Sequence, residues 1–260
     1  MPPDRFDLLS ARVLVSNDDG IHAKGLKLLE KALRGVVGEV WTVAPETEQS
    51  AASHSLTMRR PLRLRRVSPR RYTVDGTPTD CVLVAINEVL RDRPPDLVLS
   101  GINRGGNMGE DVIYSGTVAA AREGALLGFR SAALSLTYAD GQPAKWPTAE
   151  KWVRPVLERL ASSSWPVGIV MNVNFPDVDA DAVTGMEVTA QGRRKIGGGL
   201  VPIADPAGRQ YFWIGHGREE DRYRKGADLE AVNRGAVSVT PLGNDLTHRP
   251  TMKALAPAFR

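Results

Sequence analysis

Two adjacent carboxylates, Asp18 and Asp19, lie shortly after the apolar run 13–15 near the start of the chain. The two acids repel each other, and a hard divalent cation held by oxygen ligands relieves such repulsion. If the run is a buried strand, the acids lie at its carboxyl end, where open α/β sheets place their ligands. The alternative is a simple turn at 17–20, because Asn, Asp and Gly all favour turn conformations. Taken alone, the doublet leaves both interpretations open.

Further oxygen-bearing side chains follow the next two predicted strands. Ser50 lies in the loop after the second strand, and Asn103 follows the strand that ends at Ser100. Right-handed crossovers bring the carboxyl ends of parallel strands to one sheet edge, so we expect these residues to meet the two aspartates there. Such donors suit Mg²⁺, Mn²⁺ or Ca²⁺, whereas zinc is favoured by thiol and histidine clusters. Ordinary loop capping is the alternative for Ser50 and Asn103.

The turn Ser115-Gly116-Thr117 leads into a helix of small residues. Free N–H groups and the helix dipole make such a start a natural anion site, and the hydroxyls add donors. The alternative is an N-cap formed by Ser115 or Thr117. A cation site and an anion site on one sheet edge together favour phosphoryl transfer or phosphate hydrolysis. The sequence has no GxxxxGK[ST] loop and no GxGxxG after the first strand, so nucleotide switches and dinucleotide oxidoreductases lose support.

The order of elements predicts the scaffold for these residues. We predict strands at 12–17, 39–44, 96–100, 132–136, 168–174 and 236–240, and helices at 25–34, 79–90, 118–127, 149–160 and 228–233. This alternation favours a doubly wound, mostly parallel sheet in three α/β/α layers, that is, a Rossmann-like fold. Alternating Leu and Arg before residues 72–74 predicts an inserted hairpin whose first strand is half-buried with a charged outer face. The Gly- and Asn-rich segment 101–114 is interpreted as a functional loop.

Beyond residue 175 the alternation is lost. We predict a catalytic α/β domain over 1–175 and a C-terminal segment over 176–260 that serves oligomerisation, with its final helix and strand packing on the core.

Composition excludes several classes. At 260 residues, 42% hydrophobic and 25% charged, the chain matches an ordinary soluble globular protein. The net charge of +4 mildly favours anionic partners, and an arginine cluster at 59–71 with one nearby aromatic residue indicates a solvated face more than a nucleic-acid site. A single cysteine, Cys81, the lack of a signal-like h-region in 1–12 and the lack of a long apolar stretch predict a cytoplasmic protein without membrane insertion.

Several motifs, taken in order, resemble the SurE family of stationary-phase survival proteins. They are VSNDDG at 15–20, VAP at 43–45 with Ser50, DGTPTDC at 75–81, SGIN at 100–103, GEDVIYSGTVAAA at 109–121, YFWIG at 211–215 and VSVTPL at 237–242. The resemblance covers nearly the whole chain. It departs at Lys24 and Gly106, where Pro is usual, and at Ala51, where Gly is usual.

The resemblance implies a divalent-metal-dependent phosphatase that hydrolyses nucleoside 5′- and 3′-monophosphates. It implies one Mg²⁺ or Mn²⁺ per subunit, held by Asp18, Asp19, Ser50 and Asn103, and a phosphate pocket formed by Asn107, Ser115, Gly116 and Thr117. It also implies a homodimer or homotetramer built by exchange of C-terminal segments, with short polyphosphate as a further substrate.

The hypothesis is therefore phosphomonoester hydrolysis in which one aspartate also orients or deprotonates water, while Asn107 and Ser115 stabilise the phosphate oxygens. The choice between Asp18 and Asp19, direct carboxylate attack and the preferred base stay open. His22 and His54 lie near in sequence, and a loop histidine is more often a surface or supporting group. The alternatives are a broader acid-type phosphatase or exopolyphosphatase, and a regulatory protein that binds metal and nucleotide without turnover.

Overall fold

The alternating apolar and amphipathic segments build one nine-stranded sheet. The computed structural model describes residues 7–196, 199–215, 218–221 and 223–259. The strands of this sheet are β1 (Arg12–Ser16), β2 (Glu39–Pro45), β3 (Leu64–Ser68), β4 (Arg71–Val74), β5 (Leu97–Arg104), β6 (Arg130–Leu136), β7 (Ile169–Phe175), β8 (Gly185–Val188) and β13 (Ala236–Gly243). Their order is β3-β4-β2-β1-β5-β6-β7-β13-β8.

The middle of the sheet is parallel. Strands β4, β2, β1, β5, β6 and β7 run in one direction, β3 is antiparallel to β4, and β13 is antiparallel to β7. Connections between parallel strands need crossovers, which the helices supply. The predicted doubly wound, mostly parallel sheet is therefore confirmed.

Helices cover both faces of the sheet. They are α1 (Lys24–Ala32), α2 (Pro78–Val84), which continues as a π-helix over Ala85–Val89, α3 (Asp111–Tyr114), α4 (Gly116–Leu126), α5 (Trp146–Ala161), α6 (Asp228–Asn233) and α7 (Arg249–Leu255). Helices α1 and α5 share a core with Val13 and Val15, whereas α2 packs on the opposite face with Leu14. Because neighbouring β1 residues enter different cores, the strand is buried throughout and its centre, 13–15, is apolar. Three layers result, as predicted. None of the described helices is long and apolar enough to cross a bilayer.

The inserted hairpin is present as β3 and β4, but its first strand differs from the prediction. All five residues of β3 are exposed, including Leu64 and Val67. The expectation of a half-buried strand was wrong because β3 is the sheet edge and has no helix against it. Six of the arginines at 59–71 are exposed and Arg71 is half-buried, and Arg63 and Arg65 pair with Glu46 at 3.4 and 3.3 Å. The expected solvated charged face is what the structure contains.

The C-terminal segment divides between the main sheet and a projecting part. Strands β8 and β13 extend the sheet, and α6 packs against β13 and β7. Outside the sheet are β9 (Arg194–Ile196), which pairs with β12 (Arg218–Glu220), and the hairpin of β10 (Leu200–Ala204) and β11 (Gln210–Ile214). Thus α6 and β13, the predicted final helix and strand, pack on the core. Helix α7 follows them and has no buried residue.

Candidate active site

The crossover pattern creates a crevice between the loops that follow β1 and β5. From β1 the chain moves outward to β2 on one side and later returns to place β5 on the other side. The two loops therefore diverge, and α/β sheets bind ligands at such a switch point. Ser16 of β1 is in register with Ser100 of β5, so residues 17–19 lie beside 101–103. Strand β5 continues to Arg104, which makes Asn103 part of a strand end that the sequence predicted as loop.

A cleft of about 360 Å³ opens at this position. Six of the residues predicted as site residues line it: Asp18, Asp19, Ser50, Asn103, Asn107 and Ser115. Glu48, Arg104, Asp111, Tyr114 and Tyr138 also line it, and the sequence analysis assigned no role to them. Gly116 and Thr117 do not line the cleft, although both were expected in the phosphate pocket. The tertiary structure therefore brings together side chains from four loops.

Gly116 and Thr117 instead support Asp18. The Thr117 hydroxyl donates a hydrogen bond of 2.5 Å to Asp18 Oδ1. A Cβ at residue 116 would lie 2.7 Å from Asp18 Cβ, so only glycine fits this close approach. Asp18 is 5% exposed, and burial raises the pKa of its carboxyl group while the Thr117 hydrogen bond opposes the rise. The start of α4 thus fixes one carboxylate of the doublet.

Asp19 is more accessible than Asp18. Burial, followed by the negative charge of Asp18, raises the pKa of Asp19 to about 6. The backbone N–H of Arg104 donates to the Asp19 carboxylate and opposes that rise. Burial thus disfavours the ionised form of both acids, and a bound cation would offset this cost.

The loop after β2 adds Ser50 and a third carboxylate. The Ser50 hydroxyl donates to Glu48 Oε1 at 2.7 Å, and its oxygen lone pairs stay available as ligands. The Gln49 N–H donates to the Asp18 backbone carbonyl at 2.8 Å, which ties this loop to the aspartate doublet. The charge of Glu48 raises the pKa of both aspartates. The sequence analysis missed Glu48. Its position two residues before Ser50, in the same loop, could have indicated that it lies in the same site.

Asn103 presents an oxygen because its amide nitrogen is already engaged. Its Nδ2 donates to the Gly105 carbonyl at 2.8 Å, and its Oδ1 accepts no hydrogen bond within the described ranges. An amide carbonyl with a fixed orientation and a free oxygen fits a hard cation.

Asn107 is held by a buried group of amides. Its Nδ2 donates to Ser135 Oγ at 2.9 Å, and its N–H donates to Asn174 Oδ1 at 2.8 Å. Its carbonyl accepts from Asn172 Nδ2 at 2.8 Å and from Asn174 Nδ2 at 3.1 Å. The sequence analysis missed Asn172 and Asn174, whose spacing of two on a buried strand places both side chains on one face. These asparagines fix the loop that carries Asn107.

Ser115 caps α4, as the alternative interpretation proposed. Its Oγ accepts from the Val118 N–H at 3.0 Å. The hydroxyl proton is free for another acceptor, and the start of an eleven-residue helix lies at the cleft wall. Capping and anion binding are therefore compatible at this residue.

The two histidines do not line the cleft. His22 is exposed, and His54 Nε2 lies 2.9 Å from Glu123 Oε2. Neither histidine side chain therefore forms part of the cleft wall.

The predicted metal ligands are two carboxylates and two neutral oxygens. Within the described ranges, no group of three or more His, Cys, Asp or Glu residues is arranged to hold a metal ion. The predicted set contains only two carboxylates and completes its oxygen donors with a hydroxyl and an amide. The assignment of metal ligands stays a prediction.

The fold and cleft define a doubly wound α/β protein with an acidic, oxygen-lined site at the switch point of its sheet. A family model described as "Survival protein SurE" matches residues 13–198. The "5'-nucleotidase SurE" of Paramagnetospirillum magneticum is 59% identical over 99% of this chain and 99% of its own length. The "5'-nucleotidase SurE" of Rhodospirillum rubrum is 53% identical over 97% of this chain and 98% of its own length. The crystal structure of the SurE protein from Aquifex aeolicus superposes with a TM-score of 0.83 at 38% identity, covering 96% of this chain and 100% of that one. This chain belongs to the SurE family.

Proposed function

We propose that this chain is a 5'-nucleotidase, a phosphomonoesterase that hydrolyses nucleoside 5′- and 3′-monophosphates to nucleoside and phosphate. Curated relatives named for the 5'-nucleotidase activity align along nearly the full chain. The observation that carries the proposal is the convergence of Asp18, Asp19, Asn103, Asn107 and Ser115 on one cleft. The extension to 3′-monophosphates rests on the family resemblance alone.

The donors of the cleft fit a divalent metal. Asp18 and Asp19 supply carboxylates whose raised pKa values reflect uncompensated burial of negative charge. Ser50 and Asn103 add neutral oxygens, and no thiol or histidine competes for the site. We therefore propose that these four residues hold one Mg²⁺ or Mn²⁺ per subunit. The ion supplies charge neutralisation for the phosphate and lowers the pKa of a water molecule when bound.

The two aspartates take different parts in this proposal. Asp18 is buried and fixed by Thr117 and Gly116, which suits an anchor that does not move during the reaction. Asp19 is the more accessible carboxylate, and its backbone partner leaves an oxygen free to orient the attacking water and accept its proton. Direct attack by Asp18 is disfavoured because its side chain is 5% exposed and is packed against Gly116 and Thr117.

The phosphate is bound by the part of the cleft wall that Asn107, Ser115 and the start of α4 form. The Ser115 hydroxyl and the α4 N-terminus offer donors to the phosphate oxygens, and Asn107 is held at the cleft wall by Ser135 and the Asn172/Asn174 pair. Because these donors are already in position, the site needs little reorganisation when negative charge moves to the leaving oxygen.

A metal titration of phosphate release tests the proposal. The purified protein is given AMP, 3′-AMP, sugar phosphates and short polyphosphate, with Mg²⁺, Mn²⁺ or a chelator. We expect metal-dependent release from the mononucleotides, and loss of at least about a hundredfold in kcat for Asp19→Asn. Faster turnover of polyphosphate or sugar phosphates would favour the broader phosphatase, and binding of nucleotide without release would favour the regulatory protein.

We also propose a homodimer or homotetramer assembled through C-terminal segments. The β10–β11 hairpin exposes Leu200, Tyr211, Phe212, Trp213 and Ile214, each by 49% or more. Contiguous exposed apolar surface of this kind marks an interaction site. In sedimentation velocity, the full-length chain should run as an oligomer that Phe212→Glu or Trp213→Glu dissociates; an unchanged oligomer in both variants would contradict this role.

A cytoplasmic location is part of the proposal. The one cysteine, Cys81, is buried and free, which suits a reducing compartment.

A further inference from the structure

The loop after β5 is held by residues of the C-terminal segment. This loop, 105–115, carries Asn107 and Ser115, the two side chains proposed to bind the phosphate oxygens. It contacts residues 194–195 and Asp228, which come much later in the chain. The position of the proposed phosphate donors therefore depends on packing against a segment that does not itself line the cleft.

Asp228 links this loop to the C-terminal segment through backbone hydrogen bonds. Its side chain is buried, and its Oδ2 accepts the Gly109 N–H at 3.0 Å. Its Oδ1 accepts the N–H groups of Gly192 at 2.9 Å and of Leu229 at 2.8 Å. One oxygen thus holds the loop, and the other holds the C-terminal segment. Because a buried carboxylate is stable only when it is hydrogen-bonded, the loop and this segment are fixed relative to each other.

Strand β9 lies against α3, which forms the last part of the loop. The Arg194 N–H donates to Glu110 Oε2 at 2.5 Å, and Lys195 Nζ donates to the Tyr114 hydroxyl at 2.8 Å. Gly109 has a φ of +55°, and a Cβ there would lie 2.6 Å from the Arg194 nitrogen, so only glycine fits this approach. The two segments are therefore in contact from Gly109 to Tyr114.

Arg194 also brings a buried cation to this contact. Its side chain is 7% exposed, and its Nε lies 3.1 Å from Asp111 Oδ2 and 3.3 Å from Glu220 Oε1. The Asp111 carbonyl accepts the Ser115 N–H at 3.0 Å, at the turn that begins α4. Fixing Asp111 therefore also fixes the residue that caps α4.

The charge of Arg194 matters because the wall of the cleft is acidic. Asp111 lines the cleft together with Asp18, Asp19 and Glu48. Carboxylates at such short range repel a phosphate, and Asp111 is not among the proposed metal ligands. The Arg194 guanidinium stands beside Asp111 and offsets its charge, so the phosphate meets less repulsion.

We propose that Asp228 and Arg194 are positioning residues for phosphate binding. Asp228 fixes the backbone of the loop, and Arg194 fixes Asp111 and offsets its charge. Asn107 and Ser115 are thereby held where the phosphate binds. The C-terminal segment supports phosphate binding in this way, in addition to its proposed part in assembly. This role rests on the proposed function.

An isosteric substitution at Asp228 breaks the contact with the loop alone. In Asp228→Asn the amide oxygen can replace Oδ1 and keep both hydrogen bonds within the C-terminal segment, whereas the NH₂ group cannot accept the Gly109 N–H. Arg194→Met removes the cation beside Asp111, and Arg194→Lys retains one. Because Asp228→Asn preserves the volume of the side chain, it still decides the question if Arg194→Met does not fold.

Two substitutions outside the cleft serve as matched controls. Asp96 accepts the Arg12 N–H at 2.7 Å at the amino end of β5, so Asp96→Asn changes an aspartate that has a backbone partner. Arg234 belongs to the C-terminal segment and pairs with Glu187 at 2.8 Å and with Glu230 at 2.6 Å. Arg234→Met therefore removes an ion-paired arginine from the same segment, and neither control residue lines the cleft.

Amide hydrogen exchange reports on the loop without turnover. Exchange of the full-length chain is followed by mass spectrometry over residues 105–115. We expect exchange in this loop to be about three- to tenfold faster in Asp228→Asn and Arg194→Met, and close to the wild type in Arg194→Lys and both controls. Equal exchange in all variants would overturn the proposal.

Ligand affinities separate a role in phosphate binding from a general loss of stability. Calorimetry measures Kd for Mn²⁺ and then Kd for inorganic phosphate in saturating Mn²⁺. We expect the Kd for phosphate to rise about three- to tenfold in Asp228→Asn and about tenfold or more in Arg194→Met, while Mn²⁺ binds no more weakly than in the wild type. Phosphate that does not bind the wild type, that binds all variants equally, or that is lost in parallel with Mn²⁺ would refute the role.

Kinetics distinguish this role from the function on which it rests. With AMP, the KM of Asp228→Asn should rise by the same factor as the Kd for phosphate, with a smaller change in kcat. Failure of the wild type to release phosphate from any mononucleotide would refute the proposed function. Hydrogen exchange and phosphate binding would then still decide whether Asp228 and Arg194 position the loop.

Discussion

Replacing Asp19 with asparagine should stabilise the metal-free protein while abolishing its activity. The pKa of Asp19 is about 6 in the folded chain, against about 3.9 for an ordinary aspartate. A difference of about two pKa units corresponds to about 3 kcal/mol at most. Because Asp19 is partly accessible to solvent, we expect about 1–2 kcal/mol. The Arg104 N–H can still donate to the asparagine carbonyl, so the fold loses no backbone contact.

The contribution of Asp19 to the free energy of unfolding depends on pH, and this dependence determines whether the substitution stabilises the protein. The folded state binds a proton at Asp19 more tightly than the unfolded state does, so the group favours folding most below about pH 4. That contribution is lost as the pH rises from about 4 to about 6, and it stays lost above. Asp19→Asn should therefore match the wild type near pH 4 and exceed it at pH 7.5, by about 2–8 °C in Tm.

Thermal unfolding in chelator and in Mn²⁺ measures both parts of the prediction. The wild type should gain stability on addition of Mn²⁺, because an ion that binds only the folded state stabilises it, and Asp19→Asn should gain much less. Asp181→Asn is the control, since Asp181 is an exposed aspartate paired with Lys151 and lies outside the cleft. A variant that is no more stable than the wild type in chelator at pH 7.5, or that responds equally to Mn²⁺, would refute the reasoning.

Four further substitutions test the groups around the cleft. Gly116→Ala places a Cβ 2.7 Å from Asp18 Cβ, so it should lower kcat about tenfold or more while circular dichroism shows a folded chain. Thr117→Val removes the hydroxyl bonded to Asp18, and we expect a loss of about 1–3 kcal/mol in urea unfolding together with a shift of the acidic limb of the pH–rate profile to higher pH. Asn174→Ala removes the acceptor of the Asn107 N–H, so we expect a weaker interaction with the phosphate, measured as a raised KM in steady-state kinetics. Asn172→Ala removes only one of the two donors to the Asn107 carbonyl, so it should raise KM less. Unaltered kinetics in all four variants would contradict the supporting roles of these residues.

Much of the sheet was predictable because its strands carry simple patterns. Residues 13–15 form an apolar run, and such a run with a following amphipathic helix favours a parallel, two-sided sheet. The prediction for the final helix at 228–233 matched α6 to the residue. The prediction for β3 failed, because alternation of Leu and Arg records the tendency to form a strand and not the presence of a helix to cover it.

By itself, the sequence determined which oxygen-bearing residues follow which strands, and hence that Asp18, Asp19, Ser50 and Asn103 belong to one sheet edge. Only the tertiary structure decided what each side chain contacts. It places Thr117 under Asp18 instead of in the cleft, and it joins Asp228 to Gly109 in the loop after β5. The reason is physical: strand order follows from local patterns and crossover handedness, whereas hydrogen bonds and cleft shapes depend on packing between segments a hundred residues apart.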